Sequence, residues 1–165
     1  MKVTWTCYLH QYTAMGVIAI NVVKELTKLG YDIGLNAIND PRDPNPVKPQ
    51  DYPIEVQEAL KKGNRFDSIN IFFAYPDVYP HVRCKINVGY TGADSTGWYS
   101  SNGAPPPWSS CNEFMDFMLT PADYSRQIMK SCGVTIKFLV FIVLLKNIQL
   151  LLNFLFSVPH NHELS

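Results

Sequence analysis

K-V-T-W-T-C-Y-L-H-Q-Y-T-A-M-G-V-I-A-I-N-V-V-K-E-L-T-K-L-G-Y-D-I-G-L-N-A-I, Lys2 to Ile38, changes its hydrophobic period twice. Lys2 to Leu9 alternates polar and apolar residues, the pattern of a strand with two unlike faces. Beyond H-Q-Y-T-A-M-G the period lengthens. Ile18, Ala19, Val22, Leu26 and Leu29 follow helical spacing, and Asn21, Lys24, Glu25 and Lys28 line the opposite face. Gly30 stands where a helix end favours a left-handed residue. Y-D-I-G-L-N-A-I then returns to strand. The stretch is a βαβ unit, whose crossover is nearly always right-handed.

The same alternation continues downstream. D-P-R-D-P-N-P-V-K-P-Q-D-Y-P, Asp40 to Pro53, is an extended surface connection, because each proline removes an amide donor and turns its predecessor away from helix. A short helix is predicted from Ile54 to Lys62, stopped by Gly63, then strands over Ser68 to Ala74 and Cys84 to Tyr90. Thr91 to Pro107 is a Gly-, Ser- and Pro-rich loop, long for an inert connection. Trp108 to Phe114 reads as a short helix and Met115 to Leu119 as a fifth strand. T-P-A-D then supplies a helix start: Thr120 as cap, Pro121 in the first helical position and Asp123 completing a capping box. Tyr124, Ile128 and Met129 form its inward stripe, and Gly133 ends it. Strands alternating with helices predict an α/β fold, a Rossmann-like doubly wound parallel sheet. Ligands of such sheets bind beyond the carboxyl ends of the strands.

The bulk properties agree with one domain. The 165 residues can bury a sizeable core, and 14 basic against 14 acidic residues leave no net charge. Nucleic acid is therefore not an expected partner, since it calls for a basic face that neutralises phosphates. Cys7, Cys84, Cys111 and Cys132 lie far apart, with neither C-x-x-C nor zinc spacing, and read as buried thiols in a reducing compartment. M-K-V-T-W-T-C-Y-L lacks a continuous apolar run and reads as a strand instead of a signal peptide, so a cytoplasmic location is expected.

The last thirty residues differ from the rest. Phe138 to Leu145 is an unbroken apolar run, but Lys146, Asn147, Gln149 and Asn153 break up the apolar residues after it. Three readings stay open. Ile136 to Val143 forms a sixth strand with a helix behind it, or residues 137–156 associate with a membrane, or the tail comes from an altered reading frame. As a membrane span it is poor, because a central lysine costs roughly 2.5–3.5 kcal/mol to insert. His160 and His162 sit near the chain end, where histidines are usually solvated, and no metal site is expected.

From Gly89 to Val134 the sequence resembles the N-terminal half of the retaining, group 1 glycosyltransferases of two-domain GT-B architecture. Gly89, Tyr90 and Thr91 match a strand ending in G-Y-T, and Asp94 the acidic residue after it. Trp108, Asp116, Thr120, Pro121, Ser131, Gly133 and Val134 come next in the family's order and spacing. The loop before Trp108 is longer here, and Cys132 is interposed between Ser131 and Gly133.

The resemblance covers roughly residues 1–136 and leaves 137–165 as a tail. It implies a domain that holds a sugar acceptor for transfer from a nucleotide-diphosphate sugar, a co-substrate and not a resident cofactor. The loop holding Met15 and Gly16 corresponds to the one facing the donor phosphates, where a glycine and a helix start bring amides near an anion. His10, Tyr90, Thr91 and Asp94 correspond to the acceptor side, and Tyr8, Tyr12, Trp98 and Tyr99 are candidates to stack on sugar rings. Thr91 stands where some relatives carry a catalytic histidine, so no catalytic residue is assigned. The E-x7-E of the family's donor-binding domain does not occur in these residues, which implies an incomplete enzyme needing a separate donor-binding domain or chain. A non-catalytic binding module on the same fold is the alternative.

Overall fold

The computed structural model describes residues 2–10, 13–38, 48–74, 79, 83–91 and 108–140. Strand β1 (Lys2–Tyr8), helix α1 (Ala14–Lys28) and strand β2 (Asp32–Ile38) form the opening βαβ unit. β1 and β2 run parallel, from Lys2 opposite Asp32 to Tyr8 opposite Ile38. Gly30 takes φ 80°, the left-handed geometry its place after the helix requires. Ala19, Val22, Val23 and Leu26 are buried, but Leu29 is 46 % exposed. It is the residue that leaves helical geometry, so it falls off the inward stripe.

Helix α2 (Ile54–Lys62) stops at Gly63, which has φ 58°. Strands β3 (Ile69–Phe73), β4 (Ile86–Tyr90), β5 (Phe117–Thr120) and β6 (Lys137–Val140) complete the sheet, and helix α3 (Asp123–Ser131) joins the last two. The order is β2-β1-β3-β4-β5-β6 and every neighbouring pair is parallel. The Rossmann-like α/β expectation is met. Of the three readings of the tail, the strand is realised over Lys137–Val140, and residues 141–165 lie outside the described residues. Among the described residues no helix is long and apolar enough to cross a membrane.

Side chains alternate across the sheet, and a hydrophobic cluster forms on each face. On one face Val3, Trp5, Cys7, Ile33, Leu35, Ile69 and Ile71 pack with Ala19, Val22 and Leu26 of α1 and Val56 and Ala59 of α2. On the other, Phe72, Met118, Cys111 and Tyr79 pack with Ile128 and Met129 of α3.

Helix α2 packs on β2 and α1. The chain turns over the sheet so closely that a Cβ on Gly34 would lie 2.4 Å from the carbonyl oxygen of Gly63. Arg65 then donates to the Asp32 carboxylate at 2.6 Å and to the Val3 carbonyl at 3.0 Å. Polar residues on this part of the sheet satisfy one another: Thr4 with Ser68 at 2.8 Å, Thr6 donating to Asn70 at 2.9 Å, and Asn70 donating to Asn64 at 2.9 Å. Burial of Thr4, Thr6 and Asn70 is therefore not penalised by lost hydrogen bonds.

The helix entry after β5 departs from expectation. Thr120 is the last residue of β5, held opposite Val140 of β6, and α3 begins only at Asp123 with Ala122 as its cap and no side-chain capping bond. The Thr120 hydroxyl donates to the Ala122 carbonyl at 3.2 Å. Pairing with β6 keeps Thr120 extended, and the T-x-x-D box does not form. Tyr124 is correspondingly 53 % exposed and not part of the inward stripe. Gly133, at φ 86°, ends α3 as predicted.

Candidate functional site

The strand order changes direction at β1. From it the chain runs outward to β2, then returns to β3 on its other side and continues to β6. Ligands of parallel sheets bind beyond the carboxyl ends of the strands where the order switches, here between β1 and β3. Three groups of residues reach that edge: Leu9, His10 and Thr13 after β1, Ala74 after β3, and Tyr90 and Thr91 at the end of β4. One strand separates β1 from β4, so their ends stand about 10 Å apart at the usual strand spacing.

The loop after β1 is tightly built. Thr13 accepts a hydrogen bond from the Gly16 amide at 3.0 Å, and its own amide and hydroxyl both donate to the His10 carbonyl at 3.1 Å. A Cβ on Gly16 would sit 1.8 Å from the His10 carbonyl oxygen. Glycine is required here because the first turn of α1 rests on the backbone of His10. Tyr52, entering from ahead of α2, is buried beneath this loop with its hydroxyl 3.5 Å from the Leu9 carbonyl. His10 and Met15 are half-buried at the rim. No acidic residue lies in the first turn of α1, whereas α2 has Glu55 and α3 has Asp123 there. The positive end of the α1 dipole thus has no carboxylate of its own turn beside it.

At the end of β4 the expected acceptor residues part company. Tyr90 faces the α1 side of the sheet and stacks on Phe73, ring centroids 4.8 Å apart and planes 18° from parallel. Burial pushes its hydroxyl above the ordinary tyrosine pKa. Thr91 is buried, and its amide donates to the Leu119 carbonyl at 3.2 Å, tying the end of β4 to β5. Gly89 serves packing, since a Cβ there would meet Met118 Sδ at 2.8 Å and the Tyr79 ring at 3.0 Å. Asp94, Tyr12, Trp98, Tyr99, His160 and His162 lie outside the described residues.

Other residues of the family-like series sit at the opposite, amino-terminal edge. Asp116 accepts from the Asn87 amide at 2.7 Å and from Arg83 at 3.3 Å. Asn87 in turn donates to the Phe114 carbonyl at 2.9 Å and accepts from the Cys84 amide at 3.2 Å. Asn112 donates to the Gly133 carbonyl at 2.8 Å and accepts from the Thr135 amide at 2.9 Å. These residues hold the entries to β4, β5 and β6. Asp116→Ala is expected to lower stability by about 1–3 kcal/mol, because the Asn87 amide loses its carboxylate acceptor. A urea midpoint unchanged from wild type would contradict that role.

Charge is distributed in the same sense. Lys62 and Arg65 hold Asp32, Lys2 pairs with Asp67 and Arg83 with Asp116, all at the amino-terminal edge. Hydrogen bonds from Lys62, then Arg65, hold Asp32 below the usual carboxylate range against its partial desolvation. Arg126 is close to the carboxyl edge but pairs with Asp123 of its own helix. Burial pushes the thiols of Cys7 and Cys111 up to about 12, which makes them packing groups and poor nucleophiles. Cys84 and Cys132 are half-buried, where all four thiols were expected to be buried. Among the described residues no three His, Cys, Asp or Glu side chains gather as metal ligands.

The sequence predicts β3 as a strand but points to no site residue on it or at Tyr52. Phe73 and Ala74 enter the site because β3 lies beside β1, which a local hydrophobic period does not encode. The aromatic Tyr52 at the end of a proline-rich connection was the available signal for a segment that docks against the fold. Compared with known protein families, with curated proteins and with solved structures, the chain matches none.

Proposed function

We propose that the chain is the acceptor-side domain of a glycosyltransferase that moves a sugar from a nucleotide diphosphate to an acceptor hydroxyl. The observation that carries this reading is the placement of the Gly16 loop and the G-Y-T end of β4 on one carboxyl edge, either side of β3. The α1 start, with no acid in its first turn, supplies a weak field for phosphate. The acceptor hydroxyl would attack the anomeric carbon as the nucleotide diphosphate leaves. Stabilising that leaving group calls for preorganised cations or amides. The described ion pairs put most cations at the other edge, and E-x7-E is absent from the 165 residues. Transfer therefore depends on a donor-binding domain, on the same or a separate polypeptide.

Purified chain, incubated with nucleotide-diphosphate sugars and simple sugar acceptors, is expected to release nucleotide no faster than buffer. Release at an ordinary enzyme rate, about 1 per second or more, would overturn the incomplete-site reading.

A second reading is favoured by one set of contacts. The Gly16 amide is taken by Thr13, the space at its α-carbon by His10, and the Tyr90 ring by Phe73. Edge residues that serve the fold suit a non-catalytic Rossmann-like binding module, and the same assay distinguishes it when a domain bearing E-x7-E is added. Restored release supports the transferase reading; none supports the module.

A further inference from the structure

We draw no further inference here: the strongest candidate, the start of α1 beside the half-buried His10 at the β1–β3 switch point, belongs to the site already described, and a helix start with no independent sign of a ligand identifies none.

Discussion

Replacing Gly16 by alanine is expected to destabilise the protein by about 3 kcal/mol or more, the upper end of what overpacking costs. The added methyl would lie 1.8 Å from the His10 carbonyl oxygen and 2.5 Å from its carbon. Both atoms are backbone, and the same carbonyl accepts the bonds from Thr13 that shape the turn. Relief requires moving either the loop after β1 or the first turn of α1. The sign is informative. Were the space at Gly16 open, for instance toward a phosphate, alanine would favour the helix by up to about 1 kcal/mol. Urea denaturation of the variant reads the difference directly. A raised midpoint would show that the glycine is not held by His10 and would return it to the candidate ligand-binding residues.

Trp5→Ala is expected to cost about 3–5 kcal/mol, the range for truncating a large buried aromatic. Trp5 is 1 % exposed at the centre of β1, where its ring lies 5.7 Å from that of Phe73 across the β1–β3 pairing. The cavity would open where β1 meets the face covered by α1. Trp5→Phe should behave differently. The indole Nε1 is buried without a hydrogen-bond partner, so removing it also removes an unmet donor. The two effects oppose, and phenylalanine is expected to cost under about 1.5 kcal/mol, as a shape change with little loss of burial does. A Trp5→Phe variant as unstable as Trp5→Ala would mean that the indole nitrogen makes a bond the geometry does not contain.

Much of the fold is written in local pattern. The period-two stretch at Lys2–Tyr8, the helical stripe of α1 and the left-handed glycines at 30, 63 and 133 all coincide with their elements. Strand order is a different kind of information. Nothing in I-N-I-F-F states that Ile71 will lie beside Trp5, because that pairing joins residues far apart in the chain. The T-P-A-D stretch shows how a non-local contact defeats a local signal. In isolation it is a good helix cap, but β6 extends β5 through Thr120 and moves the helix start to Asp123. Candidate site residues were harder to read for the same reason. Gly16 looks like an opening for a ligand and Gly89 like the start of a G-Y-T motif, yet the atoms that require glycine there belong to His10, Met118 and Tyr79. Asp116, family-like in position but with no evident chemistry in the sequence, is a strand-entry partner for the Asn87 amide.

The claim on which the functional reading rests is that the phosphates of a sugar donor meet this chain at the Gly16 loop, on the carboxyl edge beside β1. The direct measurement is a titration of isotopically labelled protein with UDP-glucose, and separately with pyrophosphate, monitored by amide chemical shifts. The expected result is saturable change at Ala14, Met15 and Gly16, with little at Asn87 or Arg65. Shifts centred on Arg65, Lys62 and Arg83, or none at millimolar ligand, would contradict it.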